Sequence, residues 1–213
     1  MMDTTVFDIA LFQPEAAVIG NGAFPRREIL DHWLDRVGFT VCCDGAADHF
    51  LSLGLIPDLI VGDCDSLSDQ VKLQYGQIIC EFADQESNDQ TKAVRYLASK
   101  GIRNMVILGA TGKRDDHTLG NISLLVHYLE CGITVVMPTD FGVFIPCRNN
   151  MTFRSFAGQQ ISIFRFAAEH LQGENLKYPL RDFDMFWQGT LNESTEKSFS
   201  IYAEGCYLVY LAY

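Results

Sequence analysis

Asp58-Leu59-Ile60-Val61-Gly62-Asp63-Cys64-Asp65-Ser66 is a short apolar run that stops on a glycine and then on two carboxylates two residues apart. Asp58 to Val61 has the composition of a strand, and the acids fall where that strand opens into a loop. The flanking segments follow the same pattern. Upstream, Phe39 to Cys43 is a strand closed by Asp44-Gly45-Ala46-Ala47, and Ala46 to Leu53 is a short helix. Downstream, Ser68 to Tyr75 has helical spacing and Gln77 to Phe82 returns to strand. Further out, Ala16 to Gly20 is a strand, and Arg26 to Val37 sets Ile29, Leu30, Trp33, Leu34 and Val37 on one helical stripe. Asn88 to Ser99 is a helix with Ala93, Val94 and Leu97 inward. Asn104 to Leu108 is a strand, His117 to Glu130 a long helix, and Ile133 to Met137 a last strand. Such alternation predicts a mainly parallel sheet covered by helices on both faces.

After Pro138 the pattern changes. Gly142–Ile145, Met151–Phe156, Gln160–Phe166, Phe199–Ala203 and Cys206–Leu211 have strand composition, separated by Gly, Pro and Asn. They predict an antiparallel sandwich or barrel. The expected organisation is an α/β domain over residues 1–139 and an all-β sandwich over 140–213.

Of the 213 residues, 48% are hydrophobic and 20% charged, a globular composition that excludes disorder. The net charge of −11 repels a phosphate backbone and argues against a nucleic-acid partner; a small polyphosphate needs a cation or a local base to screen it. The seven cysteines are odd in number and contain no Cys-x-x-Cys pair, which argues against a zinc site or a disulfide framework. The first residues lack a basic stretch and an apolar core, and no apolar run approaches the ~18 residues of a membrane helix. A reducing cytoplasm and no membrane are expected.

Ligands of open α/β sheets bind at the carboxyl ends of the strands. Asp63 and Asp65 lie there, on one side of an extended chain, and paired carboxylates suit a hard cation such as magnesium. Asp89 joins them from the next unit: Ser87 and Gln90 fit a capping box, so Asp89 falls in the first turn of a helix with Lys92 one turn on. Each acid alone also reads as a turn residue or a complement to the helix dipole. Gly109-Ala110-Thr111-Gly112-Lys113-Arg114-Asp115-Asp116-His117 then joins a strand to a helix, and its glycines, bases and helix start suit phosphate oxygens. It is not a Walker A loop, because Ile107 and Arg114 occupy positions that motif reserves for Gly and Ser or Thr. His117 and Asn121, four apart, share a helix face.

A rival signal is Gly20-Asn21-Gly22-Ala23-Phe24-Pro25 followed by Asp44, a degenerate dinucleotide fingerprint pointing to an NAD(P)-dependent oxidoreductase. A non-catalytic ligand-binding or sensor module using the β-rich half is a second alternative.

Asp44-Gly-Ala-Ala47, Gly62-Asp-Cys-Asp-Ser66, Asn88-Asp-Gln-Thr-Lys-Ala93, Gly109 to His117, Leu176-Lys-Tyr-Pro-Leu180 and Asn192-Glu193 occur in an order and spacing that resembles the thiamine pyrophosphokinases, bacterial forms included. The resemblance implies an α/β catalytic domain, a β sandwich, and a homodimer holding thiamine in clefts between subunits. It implies Mg2+ on Asp63, Asp65 and Asp89, which would also be the catalytic acids. ATP would be bound by Asp44, Lys92, Thr111, Gly112, Arg114, Asp116 and His117. Thiamine would be approached by Tyr178, Leu191 and Asn192, with Leu191 standing where the bacterial pattern has Ser. Phe186 and Trp187 are read as sandwich core, with stacking on a cationic thiazolium as the alternative.

Overall fold

Short runs of Val, Ile, Ala and Cys, apolar on both faces, can only be buried in the middle of a sheet, and that is where the chain puts them. The computed structural model describes residues 4–82 and 86–213. In chain order the elements are β1 (Thr5–Phe7), β2 (Ala16–Ile19), α1 (Arg27–Leu34), β3 (Phe39–Cys43), α2 (Ala46–Ser52), β4 (Leu59–Gly62), α3 (Asp69–Tyr75), β5 (Ile79–Glu81), α4 (Asp89–Ser99), β6 (Asn104–Leu108), α5 (Asp115–Glu130), β7 (Thr134–Pro138), β8 (Gly142–Arg148), β9 (Met151–Arg154), β10 (Gln160–Arg165), β11 (Glu169–Glu174), β12 (Asn192–Glu193), β13 (Ser198–Glu204) and β14 (Cys206–Ala212).

The chain divides into two bodies. The first comprises Gln13–Leu124 and Ile133–Asp140, and the second residues 4–12, Leu125–Gly132 and Phe141–Tyr213. In the first body the strands run in the order β7-β6-β2-β3-β4-β5, all parallel. All four residues of β2, at the centre, are fully buried. The chain fills the β3 side first and then returns to lay β6 on the other flank of β2, so the switch point lies between β2 and β6. Register fixes what meets there: Ile19 is level with Cys42 and Leu108, and Val61 with Cys43. The loops after β2, β3, β4 and β6 therefore leave the same edge of the sheet.

The helices are amphipathic for plain reasons. In α1, Leu30 and Trp33 face inward, while Arg27 and Asp31 pair at 2.8 Å on the outer side. The start of α4 is set by Asn88, whose side chain accepts a hydrogen bond from the Thr91 N–H, so the cap lies one residue after the expected Ser87.

The second body holds a four-stranded sheet, β1-β9-β13-β11, and the strand run β12-β10-β14-β8. Its strands are antiparallel except β1, which runs parallel to β9. Burial alternates along β13, with Phe199, Ile201 and Ala203 inward. Phe199 faces Phe153 across the strand pair, their rings stacked with centroids 4.9 Å apart. Strands β1, β11 and β12 were not anticipated from sequence. Along β11 only Leu171 is buried, and its register shifts between Glu169 and Gln172, so the chain there carries no alternating signal. The expectation that Phe186 and Trp187 fill the core is overturned. They sit on a 3-10 turn, 48% and 72% exposed, with Phe186 resting on Phe164 and Phe166.

Phe153→Ala should lower the unfolding free energy by about 3–5 kcal/mol, the usual cost of emptying a buried aromatic site. Equilibrium denaturation reads this, and a loss under about 1 kcal/mol would contradict the packing described.

Candidate active site

The loops that leave the carboxyl edge of the parallel sheet enclose a cleft of about 450 Å³. Its wall draws on Gly20–Gly22 after β2, Cys43 and Asp44 at the end of β3, Asp63 and Ser66 after β4, Ser87 to Gln90 and Lys92 around the start of α4, and Ala110, Gly112 to Arg114, His117 and Asn121 after β6.

Asp44 is the most constrained of these residues. Its backbone has a positive φ of 35° and its N–H donates to the Val61 carbonyl at 2.8 Å, which turns the side chain back over the end of β4. There Gly62 is required, because a β-carbon at that position would stand 2.7 Å from the Asp44 Cβ. Asp44 is 3% exposed. Its Oδ2 accepts a hydrogen bond from the Ser66 N–H at 3.0 Å, whereas its Oδ1 is buried with no hydrogen-bond partner among the described residues. Burial, reinforced by the charge of Asp89, holds its carboxyl above the usual carboxylate range despite the opposing bond from Ser66.

Asp63 and Asp65 bring their carboxylates to the same place. Oxygens of Asp44, Asp63 and Asp65 all lie within 4.8 Å of one another. The route differs from strand alternation: Cys64 takes a φ of 64°, so the acids are gathered by a tight turn. Asp63 Oδ1 accepts the Asp65 N–H at 3.4 Å, and the Ser66 hydroxyl donates to Asp65 Oδ1 at 2.9 Å. Three carboxylates, one of them buried with an unsatisfied oxygen, fit a hard divalent cation that keeps part of its shell for water and phosphate.

The trio expected from sequence was Asp63, Asp65 and Asp89; the trio the structure draws together has Asp44 in place of Asp89. Asp89 lines the same cleft, but its Oδ1 lies 2.9 Å from Lys92 Nζ. Lys92 is only 5% exposed, and a buried ammonium needs an opposite charge close by, which the acid one helical turn back supplies. Both residues expected at a phosphate or a metal are thus here, paired to each other. Cys43 also lines the cleft; burial, with Asp89 and Asp44 adding to it, pushes its thiol well up.

In the glycine-rich loop, Gly112, Lys113, Arg114 and His117 face the cleft. Gly112 and Lys113 both have positive φ, 73° and 59°, and Lys113 Nζ donates to Asn21 Oδ1 at 3.1 Å. Arg114 grips Asp116 with two hydrogen bonds, 3.1 and 2.6 Å, and that pairing lowers the Asp116 carboxyl to about 2. Thr111 gives its carbonyl to the Ala23 N–H at 2.7 Å.

This last contact overturns the dinucleotide reading. Gly20 N–H donates to the Leu108 carbonyl at 2.8 Å and Gly22 N–H to the Gly109 carbonyl at 2.6 Å. A β-carbon on Gly20 would lie 2.9 Å from that same Gly109 oxygen. The glycines admit the neighbouring loop, and their N–H groups are engaged by it and not left for a pyrophosphate. Asn21, Ser66 and Asn88 escaped sequence reasoning because small polar residues in loops carry no pattern of their own.

A smaller cleft of about 250 Å³ lies in the second body, lined by Tyr178, Pro179, Phe183 and Gln188 to Asn192. The three residues expected near thiamine are brought together there. Buried Asn192 clamps the Tyr178 backbone, accepting from its N–H at 3.1 Å and donating to its carbonyl at 2.9 Å. Leu191 has a φ of 65° and is 78% exposed.

An open α/β sheet whose carboxyl edge carries a carboxylate trio, a lysine and a glycine-rich loop, continued in the chain by a β sandwich, defines a two-body α/β-plus-β protein with a cation-suited, anion-suited cleft. The profile described as "Thiamin pyrophosphokinase, catalytic domain" matches residues 30–137, and "Thiamin pyrophosphokinase, substrate-binding domain" matches residues 142–210. The chain belongs to the thiamin pyrophosphokinase family. It is 30% identical over 155 residues to "Thiamine pyrophosphokinase 1" of Oryza sativa subsp. japonica, covering 61% of this chain and 58% of that protein. It is 28% identical over 112 residues to "Thiamin pyrophosphokinase 1" of Caenorhabditis elegans, covering 48% and 46%. The matches thus span about half the length of these curated relatives. Among solved structures, thiamin pyrophosphokinase from Candida albicans superposes with a TM-score of 0.80 at 17% identity, covering 98% of this chain and 92% of that one. Thiamine pyrophosphokinase from Bacillus subtilis gives 0.77 at 19%, covering 92% and 98%. At these identities the structures establish the fold.

The raised carboxyl of Asp44 makes a testable sign. Its charged form opposes folding, so the stability it contributes below the ordinary carboxylate range is lost as pH rises through its raised folded-state value. In EDTA at pH 7, Asp44→Asn should therefore melt about 2–4 °C higher than the wild type. Millimolar Mg2+ should raise the wild-type Tm and leave the variant's unchanged. An equal magnesium response in both would remove Asp44 from the ligand set.

Proposed function

We propose that the protein is a thiamine diphosphokinase, which transfers the terminal diphosphate of ATP to the hydroxyl of thiamine and releases AMP. The observation that carries this reading is the trio Asp44, Asp63 and Asp65, with one buried Asp44 oxygen unsatisfied, in the cleft of a chain of this family. Those three residues would hold Mg2+, with Asp89 as a further acid on the same wall. The ion, when bound, would neutralise charge on the diphosphoryl oxygens, which is most of what such a transfer requires.

The chain's own groups supply position. Lys92 and Asp89 stand on the first turns of α4, so an incoming phosphate would compete with Asp89 for the ammonium. Gly112, Arg114 and His117 line the opposite loop, and Thr111 and Asp116 support it through Ala23 and Arg114. The thiamine hydroxyl attacks the β-phosphorus, the bond from that phosphorus to the α–β bridging oxygen breaks, and AMP carries that oxygen away. Tyr178, Leu191 and Asn192 would receive thiamine at the second cleft; Leu191 offers apolar surface, and Asn192, committed to the Tyr178 backbone, shapes the wall.

A homodimer is part of the proposal, supported by the exposed Tyr178, Trp187 and Leu191 on the second body. So is a reducing cytoplasm, supported by seven free cysteines. The net charge of −11 supports small-molecule partners and not nucleic acid.

The deciding assay supplies ATP, Mg2+ and thiamine and separates the products. AMP with thiamine diphosphate is expected; ADP would indicate an ordinary kinase, and tight NAD binding without turnover an oxidoreductase. Asp65→Ala should lower kcat by at least about 100-fold with the fold unchanged. Turnover near that of the wild type would count against the acid trio as the site of chemistry.

A further inference from the structure

We infer that Asn121 is a positioning residue that holds the start of α4 at a fixed distance from the glycine-rich loop, so that both act on one polyphosphate. The inference builds on the diphosphokinase reading, but its first readout is binding and does not depend on turnover.

Asn121 lies in the second turn of α5 and ties three segments together. Its Nδ2 donates to the Ala110 carbonyl at 2.8 Å. Its Oδ1 accepts from Asn88 Nδ2 at 2.9 Å, and its backbone carbonyl accepts from Gln90 Nε2 at 3.3 Å. Asn88 divides its amide in turn: the nitrogen reaches Asn121, and the oxygen caps α4 through the Thr91 N–H at 2.9 Å. Ala110 and Gln90 are both 4% exposed, so the tie anchors in packed structure. The chemistry is specific to asparagine. The Ala110 carbonyl demands a donor and the Asn88 amide nitrogen an acceptor, which also fixes how the Asn121 amide is turned. Aspartate would set an oxygen against the Ala110 carbonyl, and alanine would remove both bonds. On one side of this brace stand Asp89 and Lys92, and on the other Gly112 to Arg114. Neither Asn121 nor Asn88 needs to touch the reacting atoms to set that spacing.

The test measures binding of α,β-methylene ATP with Mg2+ to the full chain by calorimetry, together with KM and kcat for both substrates. Asn121→Ala should weaken binding about 10-fold, the scale of losing one part-buried and one exposed hydrogen bond together. Asn88→Ser keeps an oxygen to cap α4 but removes the amide nitrogen, and should weaken binding about 3- to 10-fold. The double variant should bind no more weakly than Asn121→Ala alone, because both changes cut the same link. KM for thiamine should stay within about twofold throughout. Additive losses, a thiamine KM that rises in parallel, or an Asn88→Ser protein that binds like the wild type would each overturn the brace. If Asn121→Ala does not fold, Asn88→Ser decides alone. A wild type that binds the analogue but forms no thiamine diphosphate sinks the diphosphokinase reading and leaves the brace; one that binds no analogue sinks both.

Discussion

Burying a carboxylate is costly unless its oxygens are matched, and Asp44 is buried with one oxygen unmatched. Much of the carboxyl edge of the sheet is arranged around that carboxylate. Gly62 has no side chain because Asp44 lies over it, Ser66 turns its N–H toward it, and the left-handed Cys64 folds Asp63 and Asp65 toward it. Stability is held back locally, and on the proposed reading a divalent cation would return it.

The second charge problem is solved nearby by other means. Lys92 is as deeply buried as Asp44, but it has Asp89 within 2.9 Å. The cleft thus holds a cation-hungry group of acids and an ammonium already balanced by its own acid. On the proposed reading, an anionic ligand arriving with a metal ion would meet both: its cation would complete the first, and its phosphates would compete for the second. A chain of net charge −11 would in this way receive a polyanion without a broad basic surface.

Much of the first body was legible in the sequence because burial on both faces leaves unbroken apolar runs such as Ala16–Ile19 and Met105–Leu108, and polar loops must follow them. The acids after β4 were legible for the same reason. The role of Asp44 beside them was not, since it depends on a register, Val61 level with Cys43, that the sequence does not display. Asp89 was placed correctly at the start of α4, but its pairing with Lys92 is a local helical contact that outcompetes a longer reach. In the second body, β11 hid because a half-exposed edge strand need not alternate, and Trp187 misled because aromatic bulk signals a core only when nothing else has a use for it.

The loops after β2 and β6 are stitched by three main-chain bonds, from Gly20, Gly22 and Ala23 to Leu108, Gly109 and Thr111. In many open sheets of this kind the gap at that divide is where a ligand slides in. Here the seam is shut, and the two loops act as one stiff anvil. The cleft opens beside it, where Asp44 and Asp63 at the ends of β3 and β4 share the wall with Gly20 to Gly22 and Gly112.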